Sequence, residues 1–227
     1  MPLGISNAPM IFSKVTKQLV VDIENMDAFI DDIAWGSNTI DGSLDKFEEL
    51  LIKLKEKDLK IAPDKVFLFR RRLELLGHTV TRDGIEPCDK ILNKIKEKQR
   101  PKDKKQVKQF LGIVGFYQRF IDHFVEKAAP LTDLIKLDTK WDWTLECEES
   151  YKLLQDILVN GNKILMVPDM TKSFRLETDA SGIGLGACLM QQDPNTKKWG
   201  PIAFDSKKLG PTQQRYDTTE RENVLES

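Results

Sequence analysis

The chain has 227 residues, 40% hydrophobic and 31% charged, with a formal net charge of −1. That is room for one large domain or two small ones, and it excludes a disordered chain or one that attracts nucleic acid through a global basic field. Three scattered cysteines, Cys88, Cys147 and Cys188, exclude a disulfide framework and a cysteine zinc site, so a reducing compartment is expected.

Along the chain, Asn7-Ala8-Pro9 reads as a helix start, with Asn7 as cap. Ile11, Val15 and Leu19 follow at helical spacing. Next, Ala28-Phe29-Ile30 and Ile33-Ala34-Trp35 flank Asp31-Asp32, which predicts strand, tight turn, strand with the acids at the tip. Ser43 is expected to cap a helix whose apolar face is Leu44, Phe47, Leu50, Leu51 and Leu54. Val66 to Thr81 is rich in strand formers and Asp83-Gly84 marks a turn. From Lys90 to Lys108 there are nine basic residues and two acidic ones. Val107, Phe110, Leu111, Val114, Tyr117, Ile121 and Phe124 then predict one long amphipathic helix, followed by a short one over Leu131 to Leu137. Trp141-Asp142-Trp143 reads as a loop, and Glu148 and Glu149 suit the first turn of a helix that Gly161 ends. The texture changes near residues 160 to 170. Phe174 to Asp179 alternates as a half-buried strand, Ala187 to Met190 and Pro201 to Phe204 predict two more, and Asp193-Pro194-Asn195 turns between them. Thr218 to Ser227 reads as the first turns of a helix. No run approaches a membrane span, no signal segment starts the chain, and neither His78 nor His123 has ligand partners at useful spacing.

Two adjacent carboxylates on an apolar hairpin are costly unless a cation sits there. Asp31 and Asp32 therefore suit a divalent metal with oxygen ligands, of the kind that drives phosphoryl transfer. Isolated, the same pair also suits a solvated turn. The basic stretch suits a phosphate backbone and equally a solvated helix face.

Several segments, in order, resemble the polymerase region of gypsy-like long-terminal-repeat retrotransposons. Residues 1–9, Met-Pro-Leu-Gly-Ile-Ser-Asn-Ala-Pro, look like the reverse transcriptase motif beneath the template base and incoming nucleotide, and Phe29-Ile30-Asp31-Asp32 looks like the catalytic hairpin. Leu75-Leu76-Gly77-His78 with Asp83-Gly84-Ile85 looks like the primer grip. Phe110-Leu111-Gly112, Phe116 to Ile121 and Ala129-Pro130-Leu131-Thr132 look like the thumb and the region beyond it. Thr178-Asp179-Ala180-Ser181 and Tyr216 to Glu222 look like the opening of a ribonuclease H domain.

The resemblance implies an α+β fold: a partial polymerase palm and thumb (right-hand reverse transcriptase), then a connection and the start of a ribonuclease H-like α/β domain. Its divisions would be 1–88 for the C-terminal part of the palm, 89–165 for the helical thumb and connection, and 166–227 for the N-terminal part of the ribonuclease H-like domain. It implies RNA-directed DNA polymerisation by two-metal nucleotidyl transfer, with cleavage of RNA in RNA/DNA hybrids. Asp31 would bind Mg2+ directly, Asp32 would support the site or bind at its edge, and Asp179 and Glu222 would serve the ribonuclease site. Gly4, Asn7, Pro9 and Phe29 would contact nucleotide or template, with a plain turn glycine as the other reading of Gly4. Leu76, Gly77 and His78 would form the primer grip, although a buried, satisfied histidine is the other reading of His78. Lys102, Lys104, Lys105 and Arg119 would touch the nucleic-acid backbone. Glu222 equally suits a helix-surface glutamate beside Glu220 and Glu226.

Implied partners are RNA template, DNA primer, RNA/DNA hybrid and dNTP, with no membrane, and with protease and integrase domains in the same polyprotein. The expected location is cytoplasmic, with a virus-like particle or the nucleus as further places. Phe29 departs from the commoner family Tyr, and Glu226-Ser227 departs from an apolar continuation. The third polymerase aspartate and the later ribonuclease acids are not in the sequence, so the chain alone is expected to be inactive and prone to aggregate through an exposed sheet edge. The alternative reading is a catalytically dead, retroelement-derived remnant that binds nucleic acid.

Overall fold

In the computed structural model, residues 6–161, 164–194 and 196–210 are described, and they are a mixture of helix and sheet. The chain divides into two units, Met1–Arg70 and Arg71–Ser227. Among the described residues, no helix is long and apolar enough to cross a membrane.

The first unit holds helix α1 (Ala8–Val20), hairpin β1 (Met26–Phe29) and β2 (Asp32–Trp35), and helix α2 (Ile40–Glu56). Pro9 lies in the first turn of α1, where a missing N–H costs nothing. Asn7 occupies the cap position but has helical dihedrals and makes no side-chain cap bond, contrary to the role expected of it as a cap. The buried face of α1 is Thr16, Leu19 and Val20, while Ile11 is exposed. On α2 the cap is Thr39, whose hydroxyl accepts from the Gly42 N–H at 3.1 Å. The expected cap, Ser43, instead accepts from Trp35 Nε1 at 3.0 Å. Leu50 and Leu54 enter the core with Leu19, Val20, Ile23, Met26 and Ala28, whereas Leu44 and Leu51 stay exposed. The Trp35 ring stacks on Phe47 with centroids 5.7 Å apart.

The second unit begins with an antiparallel sheet, β3 (Arg72–Leu75), β4 (His78–Thr81) and β5 (Ile85–Pro87). Strand does not extend back to Val66: Phe69 has φ +54°, which breaks an extended run. Four helices follow: α3 (Asp89–Lys96), α4 (Lys104–Phe116), α5 (Phe124–Leu134) and α6 (Leu145–Asn160). The single long helix expected over residues 107–124 is broken. Tyr117 leaves helical geometry, a 3-10 turn covers Gln118–Phe120, and His123 is left-handed at φ +48° before α5 starts. The short helix expected over Leu131 to Leu137 is accordingly replaced by α5, which carries Pro130 inside it.

The core of this unit is Ile95, Val107, Phe110, Val114, Leu131, Leu154 and Leu158, all fully buried, with Tyr117, Phe120, Ile121 and Tyr151 around them. Asp103 caps α4 by accepting from Gln106 N at 2.8 Å, and Thr144 caps α6 by accepting from Cys147 N at 3.3 Å. α6 ends at Gly161, where the backbone turns extended; a Cβ there would come 2.4 Å from the Ile157 carbonyl oxygen, so glycine suits the position.

The last elements are β6 (Phe174–Ala180), β7 (Gly184–Gln192) and β8 (Trp199–Lys208), an antiparallel sheet in that order. β6 was expected to be half-buried, yet Phe174 to Asp179 are all exposed. It is an edge strand, bonded to β7 alone among the described residues. Asp193 organises the β7–β8 turn by accepting from Thr196 N at 2.9 Å. The expected helix over Thr218 to Ser227 lies outside the described residues.

Candidate active site

The two strands of the β1–β2 hairpin join through Ile30 and Asp31, with Phe29 opposite Asp32. Strand alternation buries Met26 and Ala28 and leaves Asp27, Phe29 and Asp32 exposed on the other face. Ile30 has φ +56°, a conformation that a β-branched residue rarely adopts. Its carbonyl accepts from the Thr16 hydroxyl at 2.7 Å, and Thr16 is buried in α1. A strained turn of this kind costs on the order of 1–3 kcal/mol and persists where its surroundings hold it. Here a hydroxyl from behind does so, and Asp31 stands at the tip.

Asp31 and Asp32 are both exposed, and neither has an ion-pair partner among the described residues. Two unpaired carboxylates on consecutive residues are the hard oxygen donors that Mg2+ takes, together with water and substrate phosphate. The pair therefore fits part of a ligand set. Among the described residues no three His, Cys, Asp or Glu side chains converge as a metal site, so further donors would come from elsewhere. Asn7 and Pro9 lie at the start of α1, and Gly4 is outside the described residues.

In the second unit, the turn between β3 and β4 is Leu76-Gly77, with φ +49° and +77°. Positive φ at both central residues matches the right-handed twist of a two-residue hairpin. A Cβ on Gly77 would lie 3.1 Å from the Phe116 ring. The Tyr117 hydroxyl donates to the Gly77 carbonyl at 2.7 Å. Burial pushes that hydroxyl's pKa up, which keeps it a donor. The His78 ring lies 5.2, 5.6 and 5.8 Å from the rings of Phe116, Tyr117 and Phe120. Its Nδ1 is 3.1 Å from the Leu76 carbonyl, and since a carbonyl only accepts, Nδ1 carries the proton. Nε2 is buried without a partner among the described residues, so His78 is packed with one ring nitrogen unmatched there.

Burial lowers the His78 pKa below the ordinary histidine value, with the nearby Arg119 charge acting the same way and the Leu76 carbonyl opposing. As pH falls below about 6.5, the unfolded chain then takes up the proton before the folded one does. Stability is therefore present above that pH and lost below it. Between pH 7 and 5 the melting temperature of the chain should fall more steeply than that of His78→Phe. Parallel curves for the two proteins would contradict the neutral, clamped imidazole.

Of the basic residues, Lys102 and Lys105 are exposed. Lys104 Nζ donates to the carbonyls of Lys136 and Thr139, so a phosphate contact by Lys104 would have to replace those bonds. Arg119 is half-buried, and its Nε has no hydrogen-bond partner among the described residues.

Asp179 lies on β6 opposite Gly186, with its side chain 73% exposed. His123 Nε2 is 3.2 Å from Asp122 Oδ1 and 3.7 Å from Asp179 Oδ2, and Nδ1 is 3.9 Å from Glu126 Oε1. The imidazole lies over Gly186, where a Cβ would come within 2.7 Å of the ring. Sequence spacing left His123 without partners; the fold surrounds it with three carboxylates. Asp122 and Glu126, at one and three residues' distance, were the readable part of that cluster. Thr16 gave no signal, because its partner is a backbone carbonyl fourteen residues on. Glu222 lies outside the described residues.

Residues 1–80 match the reverse transcriptase (RNA-dependent DNA polymerase) family, and residues 143–224 match the RNase H-like domain found in reverse transcriptase. The chain belongs to the reverse transcriptases that carry an RNase H-like domain. Its relatives are transposon Pol polyproteins. It is 32% identical over 225 residues to the retrovirus-related Pol polyprotein from transposon 297 of Drosophila melanogaster, covering 98% of this chain and 21% of that protein. It is 29% identical over 224 residues to the transposon Tf2-3 polyprotein of Schizosaccharomyces pombe, covering 98% of this chain and 17% of that protein. The chain thus spans about a fifth of the length of these relatives.

The backbone superposes on the foamy viral protease-reverse transcriptase in complex with RNA/DNA hybrid, with a TM-score of 0.87 at 23% identity, covering 100% of this chain and 30% of that one. The foamy viral protein in complex with double-stranded DNA gives 0.86 at 23% identity, covering 100% and 47%. These likenesses show a reverse transcriptase fold.

Proposed function

We propose that this chain is the part of a retrotransposon Pol polyprotein that carries the catalytic hairpin, the primer-side clamp and the first strands of the RNase H-like domain. The longer protein would copy an RNA template into DNA from a DNA primer and dNTPs, and cleave RNA in RNA/DNA hybrids. One observation carries this reading: Asp31 and Asp32 stand unpaired on a strained turn that a buried Thr16 hydroxyl holds in place. The foamy viral proteins that share the fold were solved with double-stranded DNA and with RNA/DNA hybrid, which supports the same partners here.

Asp31 and Asp32 would hold Mg2+, which when bound activates the attacking hydroxyl and stabilises the leaving phosphate. The residues of this chain do the positioning. Phe29 offers an exposed ring beside the acids, and Asn7 and Pro9 would shape the nucleotide side. Leu76, Gly77 and His78 form a turn fixed by Tyr117 and would set the primer end. Lys102, Lys105 and Arg119 would meet phosphates, blind to sequence. Asp179, with Glu222, would serve RNA cleavage as Mg2+ ligands. Protease and integrase would flank this segment, and the protein would work in the cytoplasm or in a virus-like particle.

The test is a chimera in which this chain replaces the corresponding part of the transposon 297 polyprotein. It should extend a DNA primer on RNA and cut the RNA of a hybrid, with Asp31→Asn removing only the first activity and Asp179→Asn only the second.

A further inference from the structure

Away from these acids, a cavity of about 430 Å3 is lined by Gln99, Arg100, Pro101, Lys102 and Trp141. A second, of about 310 Å3, shares four of those residues and adds Lys98, Gln106 and Gln109. Both are shallow and open to solvent, so they suit an extended strand better than an enclosed small molecule. The segment between α3 and α4 that forms this wall is held from below. The Tyr151 hydroxyl donates to the carbonyls of Lys98, at 2.7 Å, and Gln99, at 3.2 Å. Gln155 Nε2 donates to the Ile95 carbonyl at 2.6 Å. Pro101 is buried, while Lys98 to Arg100 and Lys102 are directed at or near solvent.

Two tryptophans stand beside this segment, of which Trp141 lines the cleft. Trp143 is fixed by a 2.8 Å bond from Nε1 to Glu148 Oε2, and the Arg100 guanidinium lies 5.1 Å over its ring. Trp141 sits 5.9 Å from Trp143 and keeps 39% of its surface exposed. Arg100 Nε is 3.7 Å from Glu148 Oε2, yet its side chain remains 58% exposed. Residues 98–102 thus present three cations and no acid next to an exposed indole.

We propose that this cleft binds single-stranded nucleic acid, with a base stacked on Trp141 and the adjoining phosphates met by Lys98, Arg100 and Lys102. Charge alone would hold any polyanion, but an indole at the cleft adds a preference for unstacked bases, since every base offers a π-face and a duplex hides it. The site shares Lys102 with the phosphate contacts proposed above and goes beyond them by adding a stacking surface for an unpaired strand.

The full chain is titrated with (dT)20, with an abasic strand of equal length and with a blunt RNA/DNA hybrid, following tryptophan fluorescence and anisotropy. The expected result is quenching by (dT)20, with affinity falling about 5- to 150-fold in Trp141→Ala. The hybrid should bind both proteins equally, Trp141→Phe should lie between them, and Lys102→Glu should weaken (dT)20 and reduce its salt dependence. Equal affinity of Trp141→Ala and the parent chain for (dT)20, or equal binding of the abasic strand, would overturn the proposal. Hybrid binding without (dT)20 binding would overturn this inference alone, whereas loss of both would also remove the nucleic-acid contacts proposed for the duplex.

Discussion

Asp31→Asn should remove DNA synthesis from the chimera while leaving its fold and its RNA cleavage intact. Asparagine keeps the size of the side chain but loses the negative charge that a divalent ion requires. Metal stabilisation of a phosphoryl-transfer transition state is worth several kcal/mol, so the expected fall in rate is at least about 10^3-fold. Because the Asp31 side chain is exposed, stability should stay within about 0.5 kcal/mol of the parent. RNA cleavage should persist because Asp179 lies in the other unit of the chain. Primer extension and hybrid cleavage measured on the same preparations give both readouts. Synthesis at the parent rate in Asp31→Asn would remove the hairpin from the chemistry.

Phe110→Ala should cause the largest loss of stability. Phe110 is fully buried on α4, its ring centroid is 4.5 Å from that of Tyr151, and Val107, Val114 and Leu154 in the same core are also fully buried. Truncating a phenylalanine in such a place costs about 3–5 kcal/mol through lost transfer energy and the cavity left behind. For a unit of this size the melting temperature should drop by about 6–20 °C. Near-ultraviolet circular dichroism on heating follows the aromatic packing directly. A loss below about 1 kcal/mol would mean that the packing of α4 against α6 is looser than described.

What could be read in advance was whatever depends on local pattern. The hairpin acids were legible because short apolar runs bracket them, and α2 and α6 because their periodicity spans several turns. The family was legible because many short motifs keep one order along the chain, and the matches over residues 1–80 and 143–224 bear it out. What was not legible depends on contacts between distant residues. The break at Tyr117 looks like continuous helix in sequence, since Tyr117 and Ile121 are apolar at the right spacing. At that break Tyr117 bonds to Gly77, forty residues away, a contact that no local pattern reports. The exposure of β6 was hidden for a related reason: alternation reports which residues suit burial, not whether another element covers them. Ser43 was read as the α2 cap because its residue type caps helices, but Thr39 holds that position and the Ser43 hydroxyl accepts from the Trp35 indole. Asp31 and Asp179 were found by motif, yet the residues that hold their surroundings, Thr16 and His123, carry no motif at all.

Mn2+ titration of the isotopically labelled chain tests most directly whether the hairpin acids hold a divalent ion. Paramagnetic broadening at substoichiometric Mn2+ should appear first at residues 29–33, and should vanish there in Asp31→Asn. Broadening spread evenly over exposed acids such as Glu24 and Glu56, with no preference for the hairpin, would contradict that binding.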